Sequence, residues 1–142
     1  MEILYIVIAL HVENKQAFTE ELIILFPFAH IEFVTMDEDC LLVVSVNIDE
    51  LNDCWANFEA PVLFLEDRVA LFSRKHPYLE IGVVNKIGQL QTCFYDGYIM
   101  KNKQIVFEHA GLYTGYIPLF KYLLGKHEDE QLVIFNSIFT RY

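Results

Sequence analysis

Carboxylates carry most of the chemistry this sequence can offer. Asp49, Glu50, Asp53 and Glu59 fall close together, with Asn57 among them. If residues 47–59 are helical, Asp49 and Asp53 stand four apart and share one face. A second group, Asp37-Glu38-Asp39, is consecutive and has His11 and Glu13 as prospective neighbours in the fold. Hard oxygen ligands of this kind suit Mg²⁺ or Ca²⁺. Nothing in the chain matches the Asp-x-Asx-x-Asx-Gly loop of an EF-hand, however. Three carboxylates in a turn equally describe a solvated loop, or part of a surface facing a basic partner.

Other constellations are weaker. His11-x-Glu13 and His30-x-Glu32 resemble paired ligands, but the expected topology sets them at opposite ends of a sheet. Cys93 with Glu108 and His109 suggests a nucleophile and base. No Gly-rich elbow, orienting acid or oxyanion signature accompanies them, so a packed thiol is expected. Gly88, Gly97, Gly111 and Gly115 form neither a G-x-G-x-x-G nor a P-loop. No cofactor and no resident metal are expected. Seven of the eight tyrosines lie after residue 67, where strand packing and an interface role are both open.

The elements that would position these residues are legible in the first half. Residues 1–10 form an apolar run rich in Ile and Val, suited to a central strand buried on both faces. Residues 14–26 read as an amphipathic helix with Phe18, Leu22, Leu25 and Phe26 on one stripe, stopped by Pro27. Residues 30–36 and 40–46 are β-rich and joined by Asp37-Glu38-Asp39 as a hairpin. Asn47 offers an N-cap with Glu50 at the third helical position. The helix it starts places Leu51, Cys54, Trp55 and Phe58 on an apolar face. Residues 62–65, after Pro61, read as a further strand.

That order is β-α-β-β-α-β, a split βαβ plait. It would gather His11, Glu13, Asp37, Glu38, Asp39 and Glu59 at one edge. Residues 69–72 fit either a hairpin or a helix begun at Pro61. Residues 78–109 read as a β-meander with turn signals at Asn85-Lys86, Asp96-Gly97 and Lys101-Asn102-Lys103. A short helix is expected over 116–124, with Pro118 in its first turn and Gly125 closing it. Residues 132–139 lean to a helix after an acidic first turn. The expected fold class is α+β: a plait-like first half packed with a β-meander and one or two C-terminal helices. A single domain over residues 1–142 is expected, its acidic half (1–67) joined without a linker to a tyrosine-rich half (68–142).

Charge divides along the same line. Residues 1–67 hold fourteen of the twenty acids and one of the ten bases, a net charge of −13; the remainder carries +3. A field this one-sided repels nucleic acid and anionic membranes and attracts basic partners. With 54% hydrophobic residues the chain can fill a core rather than remain disordered. Three separated cysteines without a C-x-x-C pair fit reduced thiols and a cytoplasmic location. The longest apolar run, residues 3–10, is too short to span a bilayer. Glu2 stands where a signal peptide would be basic.

The segment N-I-D-E-L-N-D-C-W-A-N-F-E-A-P-V-L-F-L-E, residues 47–66, resembles the acidic inhibitory helix and following strand of barstar-type ribonuclease inhibitors. Matching positions are Asn47, Asp49, Leu51, Asp53, Cys54, an aromatic at Phe58, Pro61 and a Leu-Glu strand end. The likeness covers about 20 of the 142 residues, and residues 42–46 depart from it, reading as a strand where the family has a loop. The resemblance implies that Asp49 and Asp53 occupy the active site of a basic ribonuclease in place of substrate phosphate. The expectation is therefore a non-enzymatic immunity or inhibitor protein against a basic enzyme, a cognate nuclease toxin foremost. Its contact residues would be Asp49, Glu50, Asp53, Asn57 and Glu59, with Asp37, Glu38 and Asp39. The alternatives are a metal- or small-molecule-binding enzyme at the His11/Asp37/Asp39 edge, and a self-associating structural domain.

Overall fold

An uninterrupted apolar strand needs cover on both faces, and the chain supplies it with a six-stranded sheet that has α1, α2 and α3 on one face and, among the described residues, α4 on the other. The computed structural model describes residues 2–26, 28–36, 39–54, 61–88, 93–112 and 115–124. In chain order these form β1 (Glu2–His11), a 3-10 turn (Val12–Asn14), α1 (Lys15–Leu25), β2 (His30–Met36), β3 (Asp39–Asn47) and α2 (Ile48–Cys54). There follow α3 (Pro61–Lys75), β4 (Ile81–Ile87), β5 (Phe94–Lys101), β6 (Gln104–Leu112) and α4 (Ile117–Leu124). The strand order is β2-β3-β1-β4-β5-β6, every neighbour antiparallel. The protein is thus α+β, as expected.

β1 lies inside this sheet and alternates between two cores. Leu4, Ile6, Ile8 and Leu10 pack with Phe18 and Leu22 of α1, Leu51 of α2, and Leu65, Val69 and Phe72 of α3. Ile3, Tyr5 and Val7 face the other way, into a core with Leu41, Val43, Tyr95, Ile99 and Leu119 of α4. Both sets are buried, which is why β1 and β3 lack the polar alternation of a half-exposed strand.

The first four strands form the expected plait, but its fourth strand is β4. Residues 62–65, expected as a strand, belong instead to α3. Pro61 opens that helix, where its fixed φ and missing N–H are tolerated. Leu65, Val69 and Phe72 then recur at helical spacing on the buried face, while Leu63 is exposed. Four consecutive apolar residues concealed this period. Residues 69–72 are accordingly helical.

The meander is present as β4, β5 and β6, with two of its turn signals displaced. Asn85-Lys86 lies within β4 and Asp96-Gly97 within β5. Gly97 serves a close approach rather than a turn. A Cβ there would meet Leu119 Cδ1 and Val83 O, each at 2.6 Å. The third signal is a true turn: Asn102 and Lys103 have φ of 50° and 63°, the pair a two-residue type I′ hairpin requires. The Lys103 N–H donates to Oγ of fully buried Ser73 at 2.9 Å, tying the hairpin tip to α3. Pro118 falls in the first turn of α4 as expected. Pro27, Trp55, Phe58, Gly125 and residues 132–139, together with the Cys54 side chain, lie outside the described residues.

The end of α3 is locked to α1. Glu21 meets His76 Nε2 at 2.8 Å and Lys75 Nζ at 3.1 Å. Burial alone would raise the Glu21 pKa, but the hydrogen bonds and charges of His76 and Lys75 outweigh it and hold the group below its ordinary 4.5. Its contribution is therefore present above about pH 4.5 and lost as pH falls through the lowered value. Glu21→Gln should cost about 1 kcal/mol at neutral pH. Denaturation at low pH should show that difference vanishing, and a difference that persists there overturns the assignment. Gly97→Ala should cost about 1–3 kcal/mol by forcing α4 off the sheet. Urea midpoints measure it, and an unchanged midpoint would show that α4 does not seat on β5.

Candidate functional site

Asn47 ends β3 and caps α2. Its Oδ1 accepts the Glu50 N–H at 3.1 Å, the bond the Asn-x-x-Glu spacing foreshadows. Asn47 pairs with Ile3, so α2 starts beside the Glu2 end of the central strand. There Asp49 Oδ2 accepts the Glu2 N–H at 3.2 Å, and Glu2 Oε1 accepts from Asn85 Nδ2 at 3.2 Å. Glu2, Asp49 and Glu50 thus make one acidic end, anchored to β1, β3 and β4. One oxygen of Asp49 is spent on this anchor. Among the described residues no donor reaches the exposed Glu50 carboxylate. Asp53 follows one turn later in α2; its side chain, and the whole of Asn57 and Glu59, lie outside the described residues.

Next to this acidic end opens a cleft of about 120 Å³, lined by Ile3, Phe28, His30, Ser45, Asn47 and Glu50. Ser45 is the one hydroxyl in the apolar run of β3 and is buried, its Oγ donating to the His30 carbonyl at 3.4 Å. Sequence reasoning passed over Phe28 and Ser45. The polar interruption at Ser45 was the available signal.

The other end of β1 carries the second group. His11 pairs with Asp39, and Asp39 with Met36, so strand end and hairpin meet as expected. Asp37, Glu38 and the Asp39 side chain lie outside the described residues. His11 Nδ1 accepts the Glu13 N–H at 3.4 Å. A cleft of about 320 Å³ adjoins, with His11, Asn14, Phe18, Tyr78 and Glu80 in its walls. From Glu2 to His11 the strand runs about 30 Å. α2 therefore starts at the opposite end from His11 and Asp39. The expected single-edge gathering is met by His11 and Asp39; Glu59, expected there at the end of the acidic helix, lies outside the described residues. His30, 3.2 Å from Glu32, also stands away from His11, as anticipated. Among the described residues no three His, Cys, Asp or Glu converge as a metal site.

Cys93 and His109 are not partners. His109 lies opposite Gly97, four residues beyond Cys93 on the adjoining strand and roughly 13 Å along it. Cys93 is a buried thiol, in no disulfide, beside Tyr95 and Tyr116, whose rings meet edge-on at 4.8 Å. Lys86, 1% exposed, brings its ammonium 5.9 Å from the Tyr95 ring. Period-two alternation from Val84 would have found it on that face. Tyr5, Tyr95 and Tyr116 thus pack in one core and half-buried Tyr98 against the other, while Tyr78 and Tyr122 are exposed and Tyr113 and Tyr142 lie outside the described residues.

Burial raises the pKa of Tyr95, Tyr98 and Tyr116, helped by Cys93 at Tyr95 and Tyr116 and by Glu66 at Tyr98. Burial lowers that of Lys86. The unfolded chain loses phenolic protons near the ordinary pKa of 10.0 while the folded one retains them, so stability falls as pH rises past 10.0. Relief of the Lys86 charge acts the other way, but against three tyrosines. Alkaline titration should show tyrosinate absorbance appearing late and together with loss of structure. Smooth ionisation of every tyrosine in an intact fold would contradict it. No protein-family model, curated protein or solved structure matches this chain.

Proposed function

We propose that this chain is an acidic inhibitor of the immunity kind, which binds a basic enzyme in the cytoplasm and blocks it; the partner is a nuclease toxin. The observation that carries the reading is that the sheet preserves the charge division of the sequence. β2, β3 and β1, with α1 and α2, derive from the acidic half, and the strand order sets them beside β4, β5 and β6 rather than interleaved with them. Three of the four bases of α1 and α3 are also engaged, Arg74 being the exception among the described residues. Lys15 lies over the Phe33 ring at 4.1 Å, Arg68 donates to the Leu25 carbonyl at 2.9 Å, and Lys75 pairs with Glu21. Exposed Glu13, Glu20, Asp49 and Glu50 leave an outward negative field.

In this reading the field steers a basic partner inward, and carboxylates of the 47–59 segment engage the Lys, Arg or His residues that otherwise hold phosphate. The cap at Asn47, the Asp49–Glu2 anchor and buried Leu51 hold α2 before the partner arrives, lowering the ordering cost of association. The local likeness to barstar-type inhibitors at Asp49 and Asp53 supports the same assignment, although its following strand is here the helix α3. The chain itself performs no reaction and uses no cofactor. A second reading is favoured by the His11 cleft, whose size and mixed lining suit a small molecule.

A tagged pull-down from the native host, washed at low and then high salt, should retain one stoichiometric basic protein. Asp53→Ala should then raise the dissociation rate with a loss of about 2 kcal/mol or more, roughly 30-fold, while folding is unchanged. Asp49→Ala should also weaken binding, with some loss of stability from the Glu2 anchor. Recovery of this chain alone, or affinity indifferent to both substitutions, would defeat the reading.

A further inference from the structure

Resting on that reading, we propose that the cleft beside α2 receives an arginine side chain of the partner. The walls are of two kinds. Ile3 and half-exposed Phe28 offer apolar and aromatic surface, Ser45, Asn47 and Glu50 offer oxygen, and the imidazole of His30, 3.2 Å from Glu32, completes the lining. A guanidinium needs both, since its faces are weakly hydrated and its edges carry five donors. The Glu50 carboxylate is the charge on offer, as no donor reaches it among the described residues. One of the first-turn amides that would otherwise repel a cation, the Glu50 N–H, is already bonded to Asn47 Oδ1.

Ser45 adds acceptor capacity to the same cleft. It is 8% exposed, lines the cleft, and uses its hydroxyl hydrogen on the His30 carbonyl. A hydroxyl retains acceptor lone pairs after donating once, and those of Ser45 have no donor among the described residues. An N–H-rich group entering the cleft brings donors to those lone pairs. The volume of about 120 Å³ admits several waters or one planar head group, but not a nucleotide or an extended peptide. Lysine fits less well: its compact ammonium is strongly hydrated and cannot lie flat against Phe28.

The test is an amide NMR titration of the full chain at low salt with N-acetyl-arginine methylamide, its lysine counterpart and its norleucine counterpart. Arginine should shift the Ile3, Phe28, His30, Ser45 and Glu50 amides, lysine less, and norleucine not at all. Glu50→Gln, an exposed and near-isosteric change, should weaken the arginine response about fivefold. Absence of shifts, shifts elsewhere, an equal lysine response, or indifference to Glu50→Gln overturns the proposal. The pull-down reads the parent idea separately. Arginine binding here without capture of any basic protein upholds the cleft and removes the inhibitor reading. A captured partner indifferent to Glu50→Gln, with no arginine response, removes the cleft alone.

Discussion

Two-sided burial of β1 is the constraint on which the rest of the molecule depends. Each of its apolar side chains must be covered, and a fully buried Ile, Leu or Val contributes about 1.5–3 kcal/mol only if it is. Even-numbered residues from Leu4 to Leu10 are covered by the three helices after β1, odd-numbered ones by a core that includes α4. β3 and β4 satisfy its edges. The two ends of this strand then define the two ends of the protein, one bearing Glu2, Asp49 and Glu50, the other His11 and Asp39. The two groups of candidate residues are separated by the length of a single strand.

Much of this was legible from local pattern. The apolar run of β1, the stripe of α1, the Asn47 cap, the type I′ turn and Pro118 in α4 each depend on neighbours in sequence, and each was readable there. The failures share a different cause. Residues 62–65 carried no period of their own until Val69 and Phe72 were counted with them. Asn85-Lys86 and Asp96-Gly97 have turn composition, yet Lys86 is drawn inward by an aromatic face and Gly97 is required by a helix crossing above it. Both are tertiary demands. The start of α2 at the end opposite the hairpin, by contrast, is what the expected plait order requires.

The three buried polar side chains among the described residues divide the labour of the fold. Ser73 holds the hairpin tip, Lys86 sits among tyrosines in the second core, and Ser45 opens toward solvent at the acidic end. The first two are internal to the architecture. Ser45 lies in the middle strand of the acidic half, where an apolar residue would complete the run. Its hydroxyl and the capped start of α2 put polar atoms around one small opening. The acidic surface is therefore more than a diffuse field: it has a fixed place where a cation's contacts would be specific rather than merely attractive.

The pairing of β1 also governs how the chain must assemble. Its neighbour β3 ends at Asn47, but β4 ends only at Ile87, so β1 is synthesised long before its second edge can close. During that interval an eight-residue apolar strand with high β-propensity has one open side, the kind of segment prone to intermolecular pairing. Glu2 at one end and His11 with Glu13 at the other flank this segment with charged or ionisable groups. The negative charge concentrated in the first 67 residues opposes such pairing. Mutual repulsion between nascent chains keeps the half-built sheet from finding itself in a neighbour.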